Sequence, residues 1–598
     1  MAAQLERLES RDRRRRALRG QLGTVLTAAR YVLPALVRGA VSRQPTLLGI
    51  ALGHAQRHPD GLALEAEDEK LTWSDIAVLT SKVARVLADA GVVKGAVVAL
   101  MGRNSPRYVV LTLAATRVGA TMALINPHLS GGPLAHAFAT SGARIALVDE
   151  PFRDRVTREH VQGGRLLHYG SATSELERLL TGMDDTDFPP ARVRAEDDFV
   201  YVYTSGTTGL PKPCRISHSR ATLAGALYGS LMFEFRPGDK LYSPLPLYHS
   251  NGVLIAVGSC ISMGVPMAIR EQFSARNFLE DVRRYDATAM IYIGELCRYL
   301  LAVPETPQDR QHRLRVAVGN GLRPDIWAKF QKRFGIENVR EFYTATEAPG
   351  ILMNRDGVEG SVGRPPPFFG RLYRLVTFDP EQDEHPRDAR GFYIPAGIGD
   401  TGELLIKMPM LFSIPGMQYR GYTDQAASAA KILANVFVKG DRYFRTGDLL
   451  RQDEHGNFAF MDRIGDTYRC KGENVSTAEV GDVLARAPGV REVAVVGLRI
   501  PPHDGQFGLV GVVPEQGFDA EAFHRTAREL PSYAQPRFVR VLASIETTST
   551  NKQQKNRIRR EGIDLQQVTD PLYAWSESGY VPLTPTLYDA VKAGTYRL

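Results

Sequence analysis

Cysteine is rare in this 598-residue sequence, and its four copies lie far apart at Cys214, Cys260, Cys297 and Cys470. None of them forms a C-x-x-C pair, the spacing that is typical of cysteine-ligated metal sites. The spacing therefore argues against such a site. We expect all four thiols to be reduced and buried, as unpaired cysteines usually are.

The chain also has little excess charge beyond its first residues. Its formal net charge is +8, from 74 basic and 66 acidic residues. Residues 1–43 hold ten arginines against three acidic residues and so contribute +7, which leaves about +1 for the rest of the chain. A nucleic-acid-binding protein is usually basic over a whole face or domain. The charge distribution therefore predicts no nucleic-acid partner.

The first 43 residues lack both a cleavable signal sequence and an unbroken hydrophobic span. Arg30, Pro34 and Arg38 interrupt the apolar stretch over residues 22–41. Apolar residues recur there at helical spacing beside arginines, a pattern typical of a helix on an anionic membrane surface. We predict a membrane-associating leader over 1–43 and a cytoplasmic protein held at the inner face of the cell membrane. A disordered leader is the alternative.

Residues 241–269 contain no charged side chain, and their length alone would allow a membrane span. Prolines and polar residues divide this stretch: Pro244, Pro246, Ser250, Asn251, Ser259, Ser262 and Pro266. Such interruptions favour short pieces over one long helix. The segment therefore predicts a loop, a buried helix and a buried strand of a folded core.

Helical and strand patterns alternate along the first part of the chain. Residues 81–91 and 108–119 read as helices, and residues 96–101 and 121–125 read as strands. This alternation predicts an α/β fold with a mostly parallel sheet. The pattern changes near Asp462, so we expect a large domain over 44–461 and a smaller one over 462–598.

A loop rich in glycine and hydroxyl groups follows an apolar strand. Residues 203–212 read YTSGTTGLPK, with hydroxyls on Thr204, Ser205, Thr207 and Thr208, glycines at Gly206 and Gly209, and a cation at Lys212. Glycine lets backbone N–H groups converge on an anion, and the lysine adds positive charge. The order differs from a Walker loop. The loop predicts a polyphosphate site, with a flexible surface turn as the alternative.

This loop resembles the phosphate loop of the adenylate-forming superfamily, which includes acyl-CoA synthetases, adenylation domains and luciferases. Four further segments are similar to motifs of this family and occur in the family's order: LPLYHSNG at 245–252, YTATE at 343–347, YFRTGD at 443–448 and DRIGD at 462–466. The resemblance covers residues 50–598. It implies a large N-terminal α/β domain and a smaller, mobile C-terminal α+β domain.

A narrower resemblance is to the branch of fatty acid transport proteins and very-long-chain acyl-CoA synthetases. It rests on YIGELCRYLL at 292–301, GNGLRP at 319–324, DPLY at 570–573 and YVPLT at 580–584. This resemblance implies that ATP and Mg²⁺ convert a fatty acid into an acyl adenylate and then, with coenzyme A, into a thioester. It leaves acyl chain length and a homodimeric state open.

The resemblance also assigns roles around ATP. Glu347 is similar to the family's Mg²⁺ ligand, with hydroxyls such as Thr207 or Thr346 completing the site, because Mg²⁺ binds through one or two carboxylates plus phosphates. The nucleotide is assigned to Tyr343, stacked on adenine, to Thr344 beside it, and to Asp448 with Arg463 on the ribose hydroxyls.

Two C-terminal segments are similar to parts of the family that move between half-reactions. Lys552 matches the lysine beside the reacting carboxylate and α-phosphate, although TSTNK at 548–552 departs from the usual T-G-T-F-K. Gly472 matches the loop that the pantetheine arm passes, and Asp462 matches the hinge. His249 is assigned to the acyl carboxylate or its entrance. Catalytic roles therefore fall on Lys552, Thr207, Glu347 and His249.

Three alternatives stay open. A fatty acyl-AMP ligase would transfer the acyl group to a carrier protein, although no carrier domain is recognisable in this sequence. A fatty-acid uptake protein would use activation to trap its cargo. An adenylate-binding scaffold would have lost catalysis, which Thr344 and the altered surroundings of Lys552 allow.

Overall fold

The structure is a computed structural model that describes residues 46–205, 211–366, 369–379, 384–408, 416, 418–464, 468–470, 473–503, 506–546 and 555–596. The predicted leader lies outside these residues. Contacts divide the chain into two compact units, Met1–Arg371 with Met408–Ile432, and Leu372–Lys407 with Leu433–Leu598. The boundary predicted between residues 461 and 462 falls inside the second unit and stays a prediction.

A mostly parallel sheet of eight described strands forms one layer of the first unit. In spatial order the strands are Leu352–Asn354, Asn338–Tyr343, Val316–Asn320, Ala289–Ile293, Leu241–Ser243, Met267–Ile269, Leu62–Glu65 and Lys70–Thr72. The six inner strands are parallel and the two edge strands are antiparallel to their neighbours. Parallel strands are buried on both faces, which explains their nearly continuous apolar sequences.

Six described strands form a second sheet in the same unit: Arg165–Tyr169, Ile145–Asp149, Val97–Met101, Thr121–Ile125, Asp198–Ser205 and Pro211–Ser217. The first five are parallel, and Pro211–Ser217 returns antiparallel to Asp198–Ser205. The connecting helices carry clear end signals. Ser105 caps the helix Pro106–Val118, and Gly119 ends it with a left-handed φ of 76°.

The helices of the first unit bury their apolar faces against these sheets. They are Leu47–Arg57, Trp73–Asp89, Pro106–Val118, Gly131–Ser141, Glu175–Thr181, His218–Leu227, Gly258–Met263, Phe278–Arg284, Gly294–Ala302 and Pro324–Phe334, with π-helical segments Tyr228–Met232 and Asn251–Val257. A further short helix, Gln425–Ala429, has no buried residue. The predicted α/β class is confirmed. The four cysteines are free and buried, as expected.

The uncharged segment over residues 241–269 is part of this core. It contains the strand Leu241–Ser243, helical residues from Asn251 to Met263, and the strand Met267–Ile269. The strand Leu241–Ser243 precedes the predicted loop and is not part of the prediction, because three residues are too short to show a period in sequence. Among the described residues, no helix is both long and apolar enough to cross a membrane.

The second unit contains two larger described sheets. One joins Tyr373–Val376, Thr401–Lys407, Arg442–Gln452 and Ile432–Ala434, with Phe458–Arg463 paired to Arg442–Gln452; the other joins Val490–Arg499, Gln506–Pro514, Phe538–Val541, Leu572–Ser576 and Gly579–Pro582. A hairpin, Tyr468–Cys470 with Glu473–Val475, lies between them in sequence. Helices Thr477–Leu484, Ala520–Ala527, Asn556–Glu561 and Pro585–Lys592 complete an α+β arrangement.

Two helices of the first unit approach so closely that glycine is required between them. A Cβ on Gly225, in His218–Leu227, would collide with the carbonyl oxygen of Gly258. We expect Gly225→Ala to lower the free energy of unfolding by about 1–3 kcal/mol through this overpacking, although alanine favours helix. Gly132→Ala is the control, since nothing lies within 4 Å of its added Cβ. Thermal unfolding of both variants checks this, and equal stability would contradict the packing argument.

Candidate active site

The sequence motifs of the first unit follow the carboxyl ends of its parallel strands. Asp198–Ser205 ends in the glycine-rich loop, Leu241–Ser243 precedes the 245–252 motif, and Asn338–Tyr343 ends where the 343–347 motif begins. Ligands of open α/β sheets bind at this edge. Strand direction therefore places the 245–252 and 343–347 loops at the same edge of the eight-stranded sheet, whereas the glycine-rich loop follows a strand of the six-stranded sheet.

Glu347 is a buried carboxylate beside the start of the glycine-rich loop. The Tyr422 hydroxyl donates to Glu347 Oε1 at 2.9 Å, and Lys431 Nζ lies 3.7 Å from the same oxygen. Burial and the nearby Glu347 raise the pKa of Tyr422, and the Thr204 side chain opposes that rise. The tyrosine thus holds the carboxylate from a segment paired with the strand that follows the glycine-rich loop.

Residues 420–424 run beside the strand that follows the glycine-rich loop. Arg215 N donates to the Gly421 carbonyl at 3.0 Å, and Thr423 N donates to the Pro213 carbonyl at 3.2 Å. Lys212 Nζ lies 3.8 Å from Asp424 Oδ2. This segment brings Tyr422 and Lys431 to the site. Sequence reasoning missed both residues, because no glycine-rich or charged pattern marks the segment.

Arg220 holds the loop that carries Glu347. Its guanidinium donates to the carbonyl of Ala348 at 2.6 Å and, more weakly, to those of Glu347 and Ala345 at 3.4 and 3.5 Å. Burial lowers the pKa of Arg220, while Cys214 and Glu347 oppose that shift. A single side chain thereby satisfies three backbone acceptors of the loop.

Hydrogen bonds join the 245–252 motif to its neighbouring loops. Ser250 Oγ lies 3.0 Å from Thr346 Oγ1, and Asn251 Nδ2 donates to Asn320 Oδ1 at 2.8 Å. Asn104 fixes the motif from below by donating to the Leu245 carbonyl at 3.0 Å and accepting from Leu247 N at 2.8 Å. The sequence gave no signal for Asn104.

A second buried carboxyl, Glu341, supports the turn beside Asn320. Its oxygens accept from Gly321 N at 2.8 Å, Leu322 N at 3.1 Å and the Tyr292 hydroxyl at 2.8 Å. Burial raises the pKa of Glu341 to about 8, against the lowering effect of these three donors. The carboxyl therefore stays protonated at neutral pH and anchors the turn as a neutral group.

The remaining predicted residues of the first unit lie in the same loops. Tyr343 ends its strand, and the Thr344 hydroxyl donates to the Gly350 carbonyl at 3.0 Å. The ring of His249 lies 4.4 Å from that of Tyr248, centroid to centroid. Outside the described residues lie Gly206, Thr207, Thr208, Gly209, Gly472 and Lys552, as does the side chain of Ser205. Their roles stay predictions.

The oxygen atoms around Glu347 fit Mg²⁺, which takes part of its ligands from phosphate and water, better than a metal ion whose ligands all come from protein side chains. Within the described ranges, no three or more His, Cys, Asp or Glu side chains are grouped closely enough to hold an ion. Mg²⁺ accepts a site with one carboxylate when phosphate and water oxygens supply the other ligands. The buried Glu347 and the nearby Thr346 hydroxyl meet that requirement.

Asp448 and Arg463 lie together in the second unit. Arg463 Nε is 3.2 Å from Asp448 Oδ1. Asp448 N donates to Thr446 Oγ1 at 3.1 Å, and the preceding Gly447 has a left-handed φ of 78°. The turn therefore fixes the backbone of a buried aspartate beside an arginine, as a pair that binds vicinal hydroxyls would require.

A fully buried glutamate supports this turn from beneath. Glu403 accepts from Gly447 N at 2.8 Å, and its other oxygen lies 2.7 Å from His385 Nε2 and 3.3 Å from Arg445 Nη2. Burial raises the pKa of Glu403, but contacts with His385, Arg445 and the Gly447 amide outweigh it and hold the pKa below its ordinary value. Sequence reasoning did not identify Glu403.

Asp462, the predicted hinge, is buried within the second unit. Its carboxylate accepts a hydrogen bond from Thr477 N at 2.7 Å and lies 3.1 Å from the Thr477 hydroxyl. Thr477 is the first residue of the helix Thr477–Leu484. Lys555 Nζ donates to that hydroxyl at 2.7 Å. These contacts tie the end of a strand to the start of a helix, and the hinge role stays a prediction.

Comparison with known families identifies both parts of the chain. Residues 53–414 match the model of the AMP-binding enzyme family, and residues 479–552 match that of the AMP-binding enzyme C-terminal domain. The chain is 37% identical to long-chain fatty acid transport protein 2 of Rattus norvegicus, over 94% of this chain and 93% of that protein. It is also 37% identical to the medium/long-chain-fatty-acid–CoA ligase FadD6 of Mycobacterium tuberculosis, over 94% of each chain.

Solved structures share the fold at lower identity. ATP-bound MatB from Rhodopseudomonas palustris superposes with a TM-score of 0.74 at 23% identity, over 87% of this chain and 99% of that one. O-succinylbenzoate coenzyme A synthetase from Bacillus subtilis, in complex with ATP and magnesium ion, gives 0.68 at 21% identity, over 85% and 98%. These similarities confirm the predicted adenylate-forming fold.

The buried Glu341 predicts a pH-dependent stability. Between its ordinary pKa near 4.5 and its folded pKa of about 8, the unfolded chain is ionised at this position while the folded protein keeps the proton. Stability from this group therefore falls as pH rises through that range. In Glu341→Gln the contribution is absent, so the Tm of the wild type should fall relative to that of the variant from pH 5 to 8. Parallel Tm profiles would show that Glu341 does not retain its proton.

Proposed function

Because this chain belongs to the AMP-binding enzyme family, in the branch of the long-chain fatty acid transport proteins, we propose that it is an AMP-forming fatty acid–CoA ligase. Its substrates are ATP, coenzyme A and a long- or very-long-chain fatty acid. The observation that carries the proposal is the buried Glu347, which accepts a hydrogen bond from the Tyr422 hydroxyl at 2.9 Å. The names of its relatives support the fatty acid as the substrate class.

In the first half-reaction, the fatty-acid carboxylate attacks the α-phosphorus of ATP, and pyrophosphate leaves. Two anions must meet, so the site has to offset their repulsion. Glu347, with Thr346 and Thr207, would hold Mg²⁺, which supplies positive charge at the phosphates. Lys212 and Lys552 add ammonium groups, and the loop of residues 204–209 donates hydrogen bonds. Arg220 keeps the Glu347 loop in place for this step.

The nucleotide and acyl ends require different residues. Tyr343 and Thr344 face adenine in this proposal, and Asp448 accepts from the ribose hydroxyls with Arg463 beside it. The Glu403 contacts keep the Asp448 turn in position. His249 lies in the loop that follows Leu241–Ser243 and is placed at the acyl carboxylate or the entrance to its pocket.

In the second half-reaction, the coenzyme A thiol attacks the acyl carbonyl carbon and AMP leaves as the thioester forms. Gly472 allows the pantetheine arm to pass closely, because glycine has no Cβ. We place this step in a second arrangement of the smaller domain, with Asp462 at the hinge. Transfer to a carrier protein instead of coenzyme A is the alternative outcome for the same adenylate.

Uptake is a second candidate function, favoured by the names of the transport-protein relatives. Activation converts a membrane-permeant acid into a charged thioester that cannot cross back. A ligase at the inner face of the membrane would thereby draw fatty acid into the cell. This role needs no membrane channel, and it uses the same site residues.

Exchange of labelled pyrophosphate into ATP tests the first half-reaction directly. With a fatty acid and Mg²⁺, we expect exchange by the wild type and a fall of about 100-fold in Glu347→Gln, because the Mg²⁺ that offsets the phosphate charge would lose its carboxylate ligand. Glu65→Gln is the matched control: Glu65 is also buried and paired with a lysine, Lys240 at 2.7 Å. If the wild type catalysed no exchange with a fatty acid of any chain length, the proposal would be refuted. Full activity of Glu347→Gln would refute the assignment of Glu347 as the metal ligand.

The arginine-rich leader predicts membrane association independent of catalysis. Deletion of residues 1–43 removes +7 of charge together with the amphipathic stretch. We expect the deletion variant to lose binding to vesicles that contain anionic lipid and to retain pyrophosphate exchange. Sedimentation with anionic and with neutral vesicles measures this. Undiminished binding to anionic vesicles would remove the leader from the proposal.

A further inference from the structure

We propose that Lys431 is a second lysine of the triphosphate site, contacting the phosphates of ATP in addition to Lys212. The proposal rests on the function above and deepens it. Neither the glycine-rich loop nor any of the family-like motifs contains Lys431. Its Nζ lies 3.7 Å from Glu347 Oε1, the carboxylate expected to hold Mg²⁺ at the phosphates.

The local backbone fixes the place of Lys431. The residue follows the short helix Gln425–Ala429, which Asp424 caps through Ala426 N at 2.9 Å and Ala427 N at 3.1 Å. Lys431 N donates to the Ser428 carbonyl at 3.3 Å. Since Asp424 also lies beside Lys212, one short helix has a phosphate-loop lysine near its start and Lys431 just past its end.

The same segment is held against the strand after the glycine-rich loop. Tyr422 N donates to Ser428 Oγ at 2.9 Å, and Ser428 Oγ donates to the Asp424 carbonyl at 2.7 Å. Pairing of residues 421–423 with Pro211–Ser217 then holds this helix beside the strand that follows the loop. Lys431 therefore approaches Glu347 from a supported backbone.

Charge explains why a lysine is needed at this point. Glu347 must be ionised to bind Mg²⁺, yet a carboxylate beside a triphosphate repels it when the metal is absent. The ammonium group of Lys431 balances the charge of the Glu347 carboxylate from a distance of 3.7 Å. This distance is longer than a charge-assisted hydrogen bond. Once a divalent ion neutralises Glu347, the flexible lysine stem lets the ammonium turn to a phosphate oxygen. The side chain is 28% exposed, which leaves room for this movement.

A purely structural role predicts a different response to substitution. If Lys431 only neutralised Glu347, its removal would make the carboxylate more available, so less Mg²⁺ would be required and ATP affinity would be kept. If Lys431 contacts phosphate, its removal weakens binding of ATP even when Mg²⁺ is saturating. The dependence on Mg²⁺ and the dependence on ATP therefore separate the two roles.

The test compares full-length Lys431→Met and Lys431→Arg with the control Lys240→Met. Lys240 is also a partly buried lysine paired with a buried glutamate, but it immediately precedes the amino end of the strand Leu241–Ser243, away from the carboxyl-end loops. Glu65 keeps Lys70, at 2.8 Å, in that control. Thermal unfolding of all three variants verifies that they are folded.

Equilibrium binding of ATP at saturating Mg²⁺ is the primary measurement, because it does not depend on turnover. We expect Lys431→Met to weaken ATP binding and to raise the KM for ATP in pyrophosphate exchange, each at least about tenfold, as for loss of one hydrogen bond to a charged group. Lys431→Arg should recover most of the loss, and Lys240→Met should match the wild type.

Unchanged ATP affinity in Lys431→Met, or only a lower Mg²⁺ requirement, would overturn the proposal while leaving the ligase function intact. If the wild type catalysed no pyrophosphate exchange with any fatty acid tested, the ligase function would instead be refuted. In that case the binding measurement would still decide whether Lys431 contacts ATP.

Discussion

The contact between Tyr422 and Glu347 is the interaction on which the candidate site of the first unit depends. It joins a carboxylate at the end of one parallel sheet to a segment paired with the strand that returns from the glycine-rich loop. A buried carboxylate is costly unless it is hydrogen-bonded and balanced by a cation. Tyr422 and Lys431 meet both needs. A stable buried carboxylate and a metal ligand beside phosphates therefore require the same neighbours, a hydrogen-bond donor and a cation.

Buried acidic side chains recur as supports for the loops that follow strands. Glu341 holds the turn at Gly321, and Glu403 holds the turn at Gly447 in the second unit. Each carboxyl group accepts a hydrogen bond from the backbone N–H of a glycine with a left-handed φ. They differ in charge state, because burial keeps Glu341 protonated whereas His385 and Arg445 keep Glu403 ionised. These hydrogen bonds hold the loops at their bases. Less of the binding free energy of a ligand is then lost in ordering the loops.

Sequence reasoning reached the α/β class, the strand at residues 121–125 and the buried cysteines, because apolar periodicity and composition report burial directly. The motif residues Glu347, Asp448 and Arg463 were found through the family resemblance, and the structure places the last two together. Tyr422, Lys431, Arg220 and Glu403 were missed. Their importance comes from pairing between segments far apart in sequence, as when Cys214 bridges to Tyr422, and no local pattern encodes that register. Glu341 and Asn104 were missed for the same reason.

We expect a carboxylate and ATP to react at this site and to give an adenylate before a thiol enters. A rapid-quench experiment with enzyme in excess over labelled ATP, with Mg²⁺ and a long-chain fatty acid but no coenzyme A, measures this order of steps. We predict one acyl adenylate and one pyrophosphate per ATP, followed by equal amounts of AMP and acyl-CoA when coenzyme A is added. Formation of ADP, or of AMP without any acyl adenylate or thioester, would contradict it.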